Sequence, residues 1–183
     1  VVLVAQFIVL NTLLNSQKLS KPEEKTVTRN PQLWEESWKK AVSAGSKEEL
    51  EKAEELLKSS LKEAERQGSK DSRLAAVLNC LAQVYERQGK FAEAQPLYER
   101  VLAIDEKGLG KEHGAIVNEL DNLAFTYIQQ KKYAEAETLF KRAIALDEKL
   151  YGKDHPRTAA DLSYLVLLYD LQGKSEEAEQ MCK

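Results

Sequence analysis

The chain repeats itself, and this constrains its fold more than any other feature. From Leu78 to His113 it runs LNCLAQVYERQGKFAEAQPLYERVLAIDEKGLGKEH, and from Leu120 to His155 it runs LDNLAFTYIQQKKYAEAETLFKRAIALDEKLYGKDH. At Leu162 it starts again with LSYLVLLYDLQGKSEEAEQMCK. Tyr85, Tyr127 and Tyr169 stand 42 residues apart, as do Ala94, Ala136 and Ala178. A fixed period of this length means that each unit is one supersecondary element. Such an element cannot bury its apolar face alone, so neighbours must stack to make a continuous core.

Inside each unit the apolar residues recur at three and four, the helical spacing. Helices are predicted near 72–88, 91–107, 114–130, 133–149, 156–172 and 175–183, in pairs. The turn within each pair falls at Gly89-Lys90, Lys131-Lys132 and Gly173-Lys174. Only four prolines and eight glycines in 183 residues, with 31% charged residues, suit such an all-α body. Small residues are expected where paired helices touch, with Ala82 facing Ala94 and Ala124 facing Ala136. Tyr85, Leu97, Tyr98 and Leu102 then fill the space between one hairpin and the next.

Upstream the pattern loosens. Pro31 can open a helix, since proline is tolerated in the first turn, and Leu33, Trp34, Trp38, Ala41 and Val42 make one stripe. Gly45 breaks it. Ser46 caps the next helix with Glu49 as its capping-box partner, and Leu50, Ala53, Leu56, Leu57, Leu61 and Ala64 share a face that ends near Gly68. Residues 31–71 thus form a degenerate first repeat, ahead of an array over 72–183 whose units are 72–113, 114–155 and a truncated 156–183. Residues 15–30 are polar, contain Pro22 and are expected to be a flexible tether. Residues 1–14, VVLVAQFIVLNTLL, are apolar but shorter than the roughly 20 residues that span a bilayer. They are expected to be a truncated signal sequence or a membrane anchor, the alternative being an amphipathic helix docked on the array. An anchor would make the protein membrane-anchored or exported; otherwise it is cytoplasmic.

Little in the chain points to catalysis. The net charge of −3 and the lack of a basic stripe argue against a nucleic-acid partner. Cys80 and Cys182 have no metal-type spacing and are expected to be structural thiols. His113 and His155, the only histidines, occupy equivalent inter-repeat turns, where turn geometry and helix capping account for them. The recurring carboxylates Glu93, Asp105, Glu135, Glu137, Asp147, Glu176 and Glu177 are expected on solvated helix faces, paired at i,i+4. No nucleophile elbow, phosphate loop or zinc spacing is present; Gly108-Leu109-Gly110 ends a helix, whereas a phosphate loop starts one. No catalytic residue, metal ligand or cofactor is therefore assigned.

Taken together, these positions resemble the tetratricopeptide repeat, and more closely its 42-residue kinesin-light-chain-like form. The resemblance rests on Ala82, Ala124 and Val166 at the helix contact, the three tyrosines, and the turns just named. It rests also on Ala92-Glu93-Ala94, Ala134-Glu135-Ala136 and Glu176-Glu177-Ala178, and on the tails Asp105-Glu106-Lys107…Gly110…His113 and Asp147-Glu148-Lys149…Gly152…His155. It covers 72–183 well and 31–71 loosely. It implies a right-handed superhelical α-solenoid of stacked antiparallel helix pairs, in which the first helix of each pair lines a concave groove for a protein or peptide partner. The groove positions so implied are chiefly Asn79, Gln83, Asn118, Asp121, Asn122, Phe125, Gln129 and Tyr164. The amides would pair with a peptide backbone, and Phe125 and Tyr164 would hold an apolar side chain. A clamp for a carboxylate-bearing chaperone tail needs basic residues where this chain has Asn79, Ala160 and Tyr164, so that use is not carried over. The function implied is a non-catalytic protein–protein interaction scaffold. One alternative is a sensor or docking region of a larger signalling enzyme; another, if 1–14 is an anchor, is a part in envelope assembly or secretion.

Overall fold

The computed structural model describes residues 46–66 and 72–181. Their regular structure is helical throughout, in seven segments: α1 (Lys47–Arg66), α2 (Ser72–Arg87), α3 (Phe91–Leu109), α4 (Ala115–Gln129), α5 (Tyr133–Tyr151), α6 (Pro156–Leu171) and α7 (Ser175–Met181). Each helix packs on the next in chain order. The pairs α2/α3, α4/α5 and α6/α7 are hairpins stacked as a right-handed α-solenoid, with α1 laid against α2. The expected helix after Pro31, the tether and the apolar segment 1–14 lie outside the described residues. No helix among the described residues is long and apolar enough to cross a membrane.

Local chemistry sets the ends of the helices. Ser46 Oγ accepts the Glu49 amide at 3.2 Å, and a Glu49 carboxylate oxygen accepts the Ser46 amide at 2.9 Å. This is the reciprocal capping box, which satisfies two amide donors the helix leaves free. The second helices run two residues past the expected 107 and 149, to Leu109 and Tyr151. Their stop is the left-handed glycine beyond, Gly110 at φ 91° and Gly152 at φ 93°, whose amides bond to Glu106 O and Glu148 O. Gly108 lies inside the helix.

The turn inside each hairpin is one device used three times. Gly89, Lys131 and Gly173 adopt φ of 74°, 60° and 74°. The next residue, Lys90, Lys132 or Lys174, then donates its amide to the carbonyl of Tyr85, Tyr127 or Tyr169 at 2.8, 2.9 and 2.9 Å. The ammonium of the same lysine lies 5.5, 5.6 and 5.4 Å from the centre of that tyrosine ring, a cation–π contact worth about 0.5–1 kcal/mol at an exposed site. Tyr and Lys therefore recur together because one backbone bond and one ring contact close every hairpin.

The core lies in the contacts within and between hairpins. Ala82, Ala94, Ala124 and Ala136 are all fully buried. Ala82 and Ala94 cluster with Tyr98 of the same hairpin and Leu123 of the next, while Tyr85, Leu97 and Leu102 pack around them. Ala124 and Ala136 cluster with Phe140 and, across the next stacking contact, Leu165 and Leu168. A larger side chain at such a contact must push two helices apart. Ala124→Leu should lower stability by about 1–3 kcal/mol, the usual cost of overpacking a filled core. Ala145→Leu on the exposed face of α5 should stay within about 0.5 kcal/mol. Thermal melts of both variants check this; a matching loss in the two, or none in either, would mean the Ala124 contact has slack.

Candidate functional site

The first helices α2, α4 and α6 carry the expected groove positions, and α4 is the middle one. Asn118, Asp121, Asn122, Phe125 and Gln129 recur along it at three and four, so they share one side. Asn122 is half-buried, and its side-chain amide makes no hydrogen bond among the described residues; Thr126 Oγ1, which also meets Glu86, lies 3.0 Å from its backbone carbonyl. Gln129 is exposed, and Gln83 on α2 is half-buried.

Two of the expected groove residues sit deeper than expected. Asn79 is only 7% exposed, with its Oδ1 3.5 Å from the Gln83 amide nitrogen. Phe125 is likewise 7% exposed. Its ring meets Phe140 edge-on at 5.4 Å and Tyr164 edge-on at 4.9 Å between centroids. An aromatic residue facing a groove can gain contact area by turning inward, and here Phe125 joins the core while half-buried Tyr164 covers it. The accessible polar line is therefore Gln83, Asn122 and Gln129.

Beside this line, the seams between hairpins hold carboxyl groups that the sequence reading placed in solvent. Asp147 is fully buried and Asp105 half-buried, against the expectation of solvated faces, whereas Glu93, Glu135, Glu176 and Glu177 are exposed as expected. Glu137 is half-buried, bridging Lys141 at 2.7 Å and Lys174 at 3.5 Å. The signal was available: Ala136, Phe140, Ala143 and Asp147 follow one helical stripe, and all four are fully buried. On α6 the stripe Thr158, Asp161, Leu165 and Leu168 does the same, and on α4 so does Ile116, Glu119, Leu123 and Thr126.

At the seam of α4, α5 and α6, Arg157 Nε donates to Asp147 Oδ2 at 3.1 Å, and a second guanidinium nitrogen lies 3.4 Å from Asn118 Oδ1. Asp121 and Asp161 complete this group; one oxygen each of Asp121, Asp147 and Asp161 has no hydrogen-bond partner among the described residues. One guanidinium cannot compensate three buried carboxylates. Burial, then Asp161 and Asp147, drives Asp121 well above the usual carboxylate range, while burial and Asp147 raise Asp161 to about 7 despite Arg157. At the seam of α2, α3 and α4, burial raises Glu86 to about 7, although Tyr98 and Thr126 hydroxyls donate to it at 2.9 and 2.8 Å. Burial and the neighbouring Asp105 push Glu119 up to about 8. No group of His, Cys, Asp and Glu that could hold a metal ion occurs among the described residues.

The histidines cap the turns as expected: His113 Nδ1 accepts the Ala115 amide and His155 Nδ1 the Arg157 amide, each at 3.2 Å. Cys80 is a buried free thiol, pushed up by burial. Cys182 lies outside the described residues.

Comparison with known proteins agrees with this architecture. The tetratricopeptide repeat model matches residues 36–113 and 115–182. No curated protein sequence matches the chain. Among solved structures, the nearly identical TPR-like repeats of a putative kinesin light chain from Podosopora anserina are 25% identical, cover 84% of this chain and 74% of that one, and superpose with a TM-score of 0.73. BtubC (BKLC) from P. vanneervenii, at 20% identity and a TM-score of 0.68, covers 97% of this chain and 68% of that one, and shares the fold.

The buried carboxyls make stability depend on pH in a stated direction. Glu86, Glu119 and Asp161 keep protons in the folded state up to about 7, 8 and 7, whereas the unfolded chain releases them near 4. Folded molecules therefore bind more protons across that window, and stability falls as pH rises through it. Each such group contributes a slope of about 1.4 kcal/mol per pH unit. Glu119→Gln, which keeps the neutral shape, should flatten the fall between about pH 5 and 8. Denaturant melts across that range measure it, and parallel curves for the two proteins would show that Glu119 is ionised in the fold.

Proposed function

Because the chain belongs to the tetratricopeptide repeat family, we propose that it is a non-catalytic scaffold that holds an extended peptide segment of a protein partner along the concave side of α2, α4 and α6. The observation that carries this is Asn122. Its amide sits half-buried at the middle of the middle first helix, with donor and acceptor both unused among the described residues. An amide offers both, and an extended backbone presents both at regular intervals, so Asn122 suits sequence-tolerant pairing with a peptide backbone. Gln83 and Gln129 continue the line on either side, and the half-buried ring of Tyr164 supplies an apolar surface next to it.

The deeper placement of Phe125 and Asn79 changes what each does. Phe125 supports Tyr164 from below, so its truncation acts first on the fold; Asn79 braces Gln83. Neither offers much surface of its own to a ligand.

Asn122→Ala and Gln83→Ala should each weaken binding of the partner segment by about 0.5–1.5 kcal/mol, the net worth of one hydrogen bond, with the melting temperature unchanged. Glu135→Ala on the exposed side of α5 should leave binding alone. Calorimetric titration of the isolated partner segment against each variant is the test. Full affinity in both groove variants, with loss in Glu135→Ala, would put the binding face on the second helices.

A further inference from the structure

The turns that open α4 and α6 are built alike. His113 Nδ1 accepts from Ala115 N and His155 Nδ1 from Arg157 N, both at 3.2 Å. The glycines that end the preceding helices, Gly110 and Gly152, have φ of 91° and 93°. Ala115 therefore occupies, at the start of α4, the place that Arg157 occupies at the start of α6. The surroundings correspond through the 42-residue period as well: Asp105 with Asp147, Glu119 with Asp161, Ala76 with Asn118.

The two seams differ where Arg157 and Asn118 stand. In the second, Arg157 bonds to Asp147 at 3.1 Å and approaches Asn118 at 3.4 Å. In the first, both long side chains that would fill that space are alanine, and no lysine or arginine pairs with Asp105 or Glu119 among the described residues. The nearest guanidinium contributed by α5, that of Arg142, is paired with Glu106. From α2, Glu86 is taken up by the hydroxyls of Tyr98 and Thr126. Glu119 is left only 5% exposed, with its Oε2 unpartnered among the described residues and the Asp105 carboxyl bearing on it. A buried oxygen without a donor is costly, and a planar guanidinium satisfies two carboxyl groups at once.

We propose that the Asp105–Glu119 seam is a docking site for the guanidinium of an arginine carried by the partner, which takes the place that Arg157 fills one repeat later. Half-buried Ala76 and Ala115 leave the approach from the surface lined by small side chains. The inference rests on the scaffold reading only for the bearer of the arginine; the site itself is fixed by the seam. Docking requires Glu119 as the carboxylate, and burial holds its proton up to about 8. Binding therefore releases a proton and strengthens as pH rises toward that value. The groups facing the carboxyl are Asp105 and the Tyr98 hydroxyl on α3 and Asp121 on α4; His113, in the turn, bears on Asp105.

The test uses N-acetyl-arginine amide and its uncharged isostere N-acetyl-citrulline amide as probes of the whole chain, followed by the NMR shifts of the Ala115 amide and the Glu119 carboxyl carbon. Arginine should give a saturable shift at both nuclei and citrulline none. Glu119→Gln should weaken the arginine response by roughly tenfold or more, as for loss of a hydrogen bond to a charged group. Ala115→Arg, which supplies the guanidinium from within the chain, should abolish the response while the protein stays folded. Wild-type affinity should rise with pH up to about 8. A response equal for citrulline, a response that survives Ala115→Arg, or no saturable shift in the wild type would overturn the proposal. The two readings fail separately: lost peptide binding in Asn122→Ala without arginine docking leaves the groove standing, and arginine docking with an indifferent groove leaves the seam standing.

Discussion

The close contact between paired helices at Ala82/Ala94 and Ala124/Ala136 is what the rest of the structure depends on. All four side chains are fully buried, and at these points nothing larger than a methyl group separates the backbones. That distance fixes where the ends of each hairpin fall, and so where the next hairpin can sit. The large side chains, Tyr98 and Phe140 above all, are fully buried because they fill the space this contact leaves toward the neighbouring hairpin. The tyrosine–lysine closure at each turn keeps the two helices in register while the alanines set how near they lie. Stacking then does what a single hairpin cannot, since each exposed face finds its partner only in the next repeat.

The same rule traps polar groups. A helix that packs on two sides has buried stripes wider than its own hairpin needs, and carboxyls on those stripes go inside with the apolar residues. Asp161 and Glu119 are 3% and 5% exposed on stripes otherwise made of leucine, isoleucine and threonine, while fully buried Asp147, on the stripe of Phe140, is paired with Arg157. An isolated buried charge is prohibitively costly, and Asp161 and Glu119 keep their protons instead. The array thus has an apolar core within hairpins and proton-holding seams between them, and its stacking is tied to pH in a way that its hairpins are not.

The fold was legible because repetition multiplies weak signals. Any one of Gly89, Tyr85 or Ala94 is an ordinary residue, but three copies at one spacing define hairpin, turn and contact together. The turn in the middle copy, where Lys131 stands in for glycine at φ 60°, is readable only through its neighbours. The depth of the expected groove positions was not legible. The family resemblance put Asn122, Gln129 and Phe125 among the groove positions, but a resemblance does not say how far a side chain sinks, and Phe125 turned into the core because Phe140 and Tyr164 give its ring two edge-on partners. The seams were misread for a different reason. Asp105 and Asp147 recur with the other acids of the repeat, but their places on the stripes of Ala94, Tyr98 and Val101 and of Ala136, Phe140 and Ala143 set them inward, Asp105 half-buried and Asp147 fully.

Repeats that share a backbone can differ in purpose through very few side chains. The His-capped turns before α4 and α6 are alike, and the seams beneath them differ chiefly in one cation. Where the chain supplies Arg157, the seam is closed by its own guanidinium, which joins α5 to α6. Where it supplies Ala115, the proposed docking has a partner's arginine complete the same geometry from outside. A cation held there touches α3 and α4, which belong to different hairpins. Its binding energy is then also stacking energy, because a ligand that favours only the stacked form stabilises it in proportion to its occupancy. By this logic the seam between the first two described hairpins is the point at which a partner could stiffen the array, and the adjacent groove on α2 and α4 is where the rest of that partner would lie.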